Sequence, residues 1–184
     1  MSAHKTRIAI VGAGHVAQVA HIPAYKANPE VELVAIVDYD AVKAKRIKDQ
    51  FGFKAAYDDF NEMLKKADVD AVDLCTPNYL HAPMAIGALR SGRDVLCEKP
   101  MARNAKEAEQ MVDAADKHDR ILMVAMNNRF RDDAQMLQKF VGANELGEIQ
   151  IIKAGWLRRA QEWKDRAWFT EQKKSGGGAL LDLG

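Results

Sequence analysis

The chain has 184 residues, 48% of them hydrophobic and 29% charged, with a formal net charge of +1. That is room for one domain of ordinary size and part of another, and the near-neutral balance excludes the basic field by which a protein grips nucleic acid or an anionic membrane. No apolar run approaches the roughly 20 residues of a membrane span, and Met1 to Thr6 lead into a strand pattern without a signal-peptide stretch, so a cytoplasmic protein is expected.

Arg7-Ile8-Ala9-Ile10-Val11-Gly12 is a nearly continuous apolar run ending in glycine, as expected for a parallel strand covered on both faces. From Gly14 to about Asn28 the apolar residues return at helical spacing (Val16, Val19, Ala20, Ala24), and Pro23 should kink or end that helix early. A second strand, Val31 to Val37, closes on Asp38. Then come a polar helix over about 41–51, an extended piece near 54–56, a helix over about 58–66 and a fourth strand, Ala71 to Cys75. A helix over about 79–91 leads through Gly92 to a strand at Asp94 to Cys97, Asn104 can cap a helix reaching about His118, and Ile121 to Met126 form the sixth strand.

Such alternation predicts an α/β fold with a doubly wound parallel sheet. After Met126 the pattern changes: 127–141 reads as a helix entrance and helix, and Glu148 to Leu157 as one long strand. We therefore expect a first domain over 1–126 and the start of a second α/β domain over 127–184. Asn127, Asn128 and Arg129 read either as pocket-facing groups or as caps of the next helix. Cys75 and Cys97 end apolar runs and read as buried, reduced thiols, with no neighbouring base to activate either as a nucleophile.

Chemistry concentrates where strands end. Gly12-Ala13-Gly14-His15-Val16-Ala17 follows a strand and opens a helix, the context that makes a glycine pattern a dinucleotide fingerprint. Gly12 permits the tight turn, Gly14 the close approach of a pyrophosphate, and the N–H groups at the helix start, from His15 and Val16 onward, bring positive charge to it. Asp38, at the distance expected of the ribose-binding acid, would accept ribose hydroxyls and repel a 2′-phosphate, so NAD is preferred to NADP. Its alternative is capping the following helix. Lys43 and Arg46 are expected on the outer face of that helix, weakening the preference without reversing it.

Thr76-Pro77-Asn78 follows strand four and Glu98-Lys99-Pro100 follows strand five, both at the edge where this fold binds ligands. A lysine there can hydrogen-bond a substrate oxygen, stabilise alkoxide charge or relay a proton during hydride transfer, where elsewhere it would be a solvated surface group. Ser175 to Gly178 reads as a flexible loop with a helix cap or as a second close approach to a ligand, and Asp182 as an exposed helix acid or a substrate-binding carboxylate. His15, His21 and His118 have no metal-ligand spacing with cysteine or acid, so no metal is expected.

Taken together, Gly12-Ala13-Gly14, Asp38, Thr76-Pro77-Asn78 with His81, Glu98-Lys99-Pro100, and Gly176-Gly177-Gly178 with Asp182 and Gly184 resemble the glucose-fructose oxidoreductase, inositol dehydrogenase and MocA family, from Arg7 to Gly184. The resemblance implies a Rossmann NAD(P)-binding domain followed by an α/β domain with an open antiparallel sheet used in dimer or tetramer contacts. It makes Lys99 the catalytic-site lysine, Glu98 the acid beside the nicotinamide, and Asp182 the acid that holds or activates the substrate hydroxyl. Thr76, Pro77, Asn78 and His81 become the loop and helix start beside the cofactor, with Trp168 near it. Phe169 stands where some NADP-using relatives carry a basic residue.

In the family pattern a histidine acting as acid/base follows the Asp-x-Gly element by one further residue, and the sequence stops at Gly184. The expectation is therefore a fragment whose second domain is truncated. The intact protein is expected to transfer hydride between NAD(H) and a carbinol carbon of a sugar, cyclitol or related polyol, as a homo-oligomer. A non-catalytic NAD(H) sensor and an imine or biliverdin-type reductase of the same fold are the alternatives.

Overall fold

A computed structural model describes residues 5–155, 167–178 and 181. These form two compact units: one contains residues up to Ala125 together with those from Trp168 onward, the other runs from Met126 to Ala167.

Six parallel strands make the sheet of the first unit, in the order β3-β2-β1-β4-β5-β6. They are β1 (Thr6–Val11), β2 (Val31–Val37), β3 (Ala55–Tyr57), β4 (Ala71–Leu74), β5 (Asp94–Glu98) and β6 (Leu122–Ala125). Helices lie on both faces, which is why β1 and β2 read as unbroken apolar runs. Ile8, Ile10 and Ile36 pack with Ala17, Ile22 and Ile47 on one face, while Ala9, Val11, Val72, Leu74 and Val95 pack with Met63, Ala85, Leu89 and Met111 on the other.

The helices start and stop where local chemistry directs. Asp40 caps α2 (Ala41–Phe51), accepting from Lys43 N at 3.0 Å, and left-handed Gly52 ends it. Asp59 accepts from Glu62 N at 2.7 Å, so α3 is Phe60–Lys66 and begins two residues later than expected. Pro77 precedes α4 (Asn78–Arg90), and Asn104 caps α5 (Ala105–His118) as expected, accepting from Glu107 N at 3.0 Å.

The first helix departs from expectation. Pro23 does not end it: a π turn over Ala17–His21 runs directly into Ile22–Ala27, together α1, with Pro23 in the first turn of the second part. A wider turn tolerates a residue that has no N–H to donate.

In the second unit a short 3₁₀ turn, Asn127–Phe130, precedes α6 (Asp132–Gly142). The strand expected over Glu148 to Leu157 is not formed over 148–155, because no described strand pairs with it; Leu157 lies outside the described residues. Ile151 and Ile152 are consequently 76% and 81% exposed.

The domain boundary expected at Asn127 falls beside the start of this unit, but the segment from Trp168 groups with the first unit rather than the second. Two short helices, α7 (Ala167–Thr170) and α8 (Gln172–Ser175), carry it. Ser175 O accepts from Asn78 Nδ2 at 2.7 Å and Lys173 O from Arg103 Nη1 at 2.9 Å. Gly176, at φ +89°, ends α8, and a Cβ there would lie 2.7 Å from Arg103 Cα. The glycine thus serves a close approach to the chain's own backbone.

Candidate functional site

The order of the strands reverses between β1 and β4, and the crevice outside the carboxyl ends at such a point is where doubly wound sheets bind ligands. Register brings the sequence-predicted residues to that edge. Val11 pairs with Val37 and Leu74, Leu74 with Cys97, and Glu98 with Ala125, so Gly12, Asp38, Thr76 and Lys99 all follow strands that end level.

Gly12 has φ +95°, and a Cβ on it would meet the Cys75 carbonyl oxygen at 2.5 Å. Only glycine lets the β1 turn cross so close to the end of β4. Around Gly14 nothing lies within 4 Å of where a Cβ would stand, and His15 and Val16 are exposed at the start of α1. The result is an open cradle beside a helix start.

Asp38 is only 6% exposed, and its carboxylate braces the turn: Oδ2 accepts from Ala13 N at 2.9 Å and Oδ1 from Asp40 N at 3.1 Å. Lys43 is not confined to the outer face of α2. From the first turn of that helix it reaches back past the Asp40 cap to place Nζ 2.7 Å from Asp38 Oδ2, an ion pair at the end of β2.

At the end of β4, the Thr76 hydroxyl oxygen is buried without a hydrogen-bond partner among the described residues, which suits a group reserved for a ligand. Pro77 precedes α4, and Asn78 is buried with its amide on Ser175 O. His81 is the residue that the family resemblance puts beside the cofactor. It is 0% exposed, with Nδ1 2.8 Å from Pro100 O and Nε2 2.8 Å from Thr76 O. Both ring nitrogens are engaged in tying the loop after β4 to the loop after β5.

Glu98 and Lys99 are half-buried where β5 ends, Lys99 N donating to Glu98 Oε2 at 3.0 Å, with the Lys99–Pro100 peptide in cis. Trp168 is half-buried and meets Phe169 edge to face at 5.5 Å. Asp182 and Gly184 lie outside the described residues.

A cluster around His21 is not apparent from sequence spacing. His21 Nδ1 is 2.7 Å from Asp73 Oδ2 and Nε2 is 2.9 Å from Glu98 Oε1. Asp73 is 0% exposed in the middle of a strand covered on both faces. Burial alone would lower the imidazole pKa, but its hydrogen bonds with Asp73, Cys75 and Glu98, the ring N–H groups donating to the carboxylates, outweigh it and push His21 up to about 12. The Cys75 thiol donates to Asp73 Oδ1 at 3.8 Å, and its own pKa is raised to about 12, chiefly by burial. The expectation that no histidine shares a metal-ligand arrangement rested on sequence spacing alone. The fold brings ligand atoms of His21, Asp73 and Cys75 within 4.8 Å of one another, although both His21 nitrogens already meet carboxylates.

A signal for this cluster was present: an acid inside an otherwise apolar strand run needs a buried partner, and His21 stands two residues before the proline of α1.

The family model GFO_IDH_MocA, described as an oxidoreductase family with an NAD-binding Rossmann fold, matches residues 6–126. The chain belongs to the Gfo/Idh/MocA family. Its six-stranded parallel sheet is thus that of an NAD-binding Rossmann fold. D-Glucoside 3-dehydrogenase of Escherichia coli K12 is 36% identical over 100% of this chain and 52% of its own length. The WlbA dehydrogenase of Bordetella pertussis, solved with NADH and UDP-GlcNAcA, has a TM-score of 0.75 at 30% identity, over 78% of this chain and 44% of that one. Myo-inositol 2-dehydrogenase of Lactobacillus plantarum has a TM-score of 0.73 at 26% identity, covering 79% and 43%. The chain spans about half the length of the curated relatives it matches. Among the described residues, no helix is long and apolar enough to cross a membrane.

Proposed function

We propose that the full-length protein transfers hydride between NAD(H) and a secondary carbinol carbon of a sugar or cyclitol, with this chain supplying the cofactor-binding half of the site. The observation that carries this reading is the convergence of Gly12, Asp38, Thr76 and Lys99 on the carboxyl edge of one sheet, at its switch point.

The residues fit the dinucleotide. Gly14 and the first N–H groups of α1 form the pyrophosphate cradle, where His15 and Val16 are exposed. Asp38 would hold the adenosine ribose hydroxyls, and the Thr76 hydroxyl, without a partner among the described residues, would supply a further polar contact to the cofactor. His81 and Asn78 hold the loops that form this wall. When bound, the nicotinamide supplies the hydride acceptor or donor.

Lys99 is assigned to the reacting oxygen, which it hydrogen-bonds and whose developing charge it stabilises. Asp182 is assigned to the substrate hydroxyl. Similarity to a D-glucoside 3-dehydrogenase and to an enzyme solved with a sugar nucleotide supports a pyranose-like substrate, and assembly as a homo-oligomer is part of the proposal. Buried free Cys75 and Cys97 fit a cytoplasmic setting.

The test is reduction of NAD by the full-length protein with a panel of glycosides, inositols and sugar nucleotides. Turnover confined to one such class supports the proposal. Tight NADH binding with no turnover of any of them, in wild type and under both directions of reaction, overturns it in favour of a sensor.

A further inference from the structure

The Glu98 carboxylate is held from two sides. Its Oε2 accepts from Lys99 N at 3.0 Å, and its Oε1 lies 2.9 Å from His21 Nε2. The other nitrogen of that ring is 2.7 Å from Asp73 Oδ2. A chain of contacts therefore runs from the interior of β4, through the π turn of α1, to the peptide that carries Lys99.

Each link has a reason in the sequence. Asp73 shares the face of Ile10, its partner in register, so its carboxylate meets α1 rather than α4. Within α1 the π turn ends at His21, one residue before the apolar anchor Ile22, which is fully buried. A π turn adds a residue to the helical repeat and so rotates the next turn of the helix about its axis; here it lets Ile22 enter the core while His21 spans two strands. The imidazole side chain is only 10% exposed, Asp73 is 1% and Glu98 17%. Buried carboxylates fixed by a charged donor keep their geometry well, since breaking the pair leaves a charge without a partner.

We propose that His21 is a positioning residue for the hydride-transfer site: braced on Asp73, it fixes the Glu98 carboxylate, which fixes the peptide from which the Lys99 side chain departs. This rests on the assignment of Lys99 to the reacting oxygen. His21 has no contact with cofactor or substrate in this scheme. Its effect passes through Glu98, and its loss loosens the setting of Lys99 rather than removing a reacting group. The effect should consequently fall on kcat at saturating NAD and leave the affinity for NADH, governed at the Gly12 to Asp38 end of the crevice, nearly unchanged.

Two substitutions separate positioning from packing. An Asn amide nitrogen reproduces the position of imidazole Nδ1, and a Gln amide nitrogen that of Nε2. His21→Asn keeps the link to Asp73 and loses the link to Glu98; His21→Gln does the reverse. In the full-length protein, kcat of H21N is expected to fall to about a tenth or less of that of H21Q, with NADH dissociation constants of both within about threefold of wild type. Lys99→Met is the reference, and it should abolish turnover while binding NADH.

If K99M turns over normally, the assignment of Lys99 fails and the His21 role falls with it. If K99M is inactive while H21N and H21Q share the same kcat, the Lys99 assignment stands and the positioning role is overturned. Should either variant fail to fold, imidazole proton and nitrogen NMR of the wild-type protein decides instead. Two slowly exchanging ring N–H protons, one coupled to each carboxylate, support the clamp, and a ring with a single N–H overturns it.

Discussion

Lys43 Nζ lies 2.7 Å from Asp38 Oδ2, and that oxygen already accepts from Ala13 N at 2.9 Å. The acid proposed to take the adenosine ribose is therefore partly neutralised by a lysine five residues on. A bare carboxylate would repel a 2′-phosphate, and a nearby ammonium offsets that repulsion. Replacing Lys43 by Gln should leave NADH affinity within about twofold and weaken NADPH binding by roughly fivefold, the equivalent of about 1 kcal/mol between charges at a solvent-accessible edge. Titration with each reduced cofactor, following energy transfer from tryptophan, measures both. Equal effects on the two cofactors would show that Lys43 has no part in discrimination.

Gly12 and Gly14 look alike in the sequence and differ in what surrounds them. Gly12 combines φ +95° with a hypothetical Cβ 2.5 Å from Cys75 O, whereas Gly14 has nothing within 4 Å. Gly12→Ala must strain the backbone or push β4 away, and a loss of about 2–3 kcal/mol or more in urea unfolding is expected. Gly14→Ala should unfold at the wild-type midpoint yet bind NADH at least about tenfold more weakly, because its methyl enters the cradle. Wild-type NADH affinity in G14A would remove the cradle from the binding site.

The sheet was legible because five of its six strands are largely apolar runs of 4 to 7 residues, β3 being a three-residue piece, separated by helices. Asn104 reads as a helix start from its local capping chemistry, while the equivalent caps Asp40 and Asp59 are not read from the sequence, and α3 accordingly begins two residues later than expected. Gly12, Asp38 and Lys99 were legible for a similar reason: each stands at a strand end, and strand ends of a parallel sheet share one edge. What was not legible depends on distant partners. Nothing near His21 in sequence points to Asp73, 52 residues away, or Glu98, 77 residues away. His81 is placed beside the cofactor by resemblance alone, and its two carbonyl partners, in separate loops, are not visible in the sequence. The apolar alternation of 148–155 signals a strand, but alternation supplies no partner to pair with.

The two thiols should be inert while the protein is folded. Burial is the main cause raising both pKa values, Cys75 to about 12 and Cys97 still higher, with the charges of Asp73 and Glu98 adding to it. Thiolate is the reactive form, so an aromatic disulfide reagent near neutral pH should label neither cysteine in native protein and both once urea unfolds it. Stoichiometric labelling of the native chain at the unfolded rate would contradict the burial of the β4 and β5 ends.

His21 also makes stability depend on pH in a defined direction. Its pKa rises from an ordinary 6.5 to about 12 on folding, burial lowering it while Asp73, Cys75 and Glu98 raise it further. The folded state thus binds this proton more tightly than the unfolded state. The contribution is complete below the unfolded value, declines as pH rises above it, and is gone once pH passes the folded value. Groups acting on the ring are Asp73 and Cys75 from the end of β4 and Glu98 from β5, while Tyr25 of α1, whose pKa is raised by burial and by Asp73, bears on the same Asp73 carboxylate. Because these are common to wild type and His21→Gln, the difference between the two chains isolates the histidine. Urea unfolding should show that difference largest near about pH 6 and shrinking steadily toward about pH 10. A difference that stays constant across that range would mean the imidazole is no more protonated in the folded chain than in the unfolded one, and a ring with one N–H cannot donate to both Asp73 and Glu98, so the clamp would be overturned.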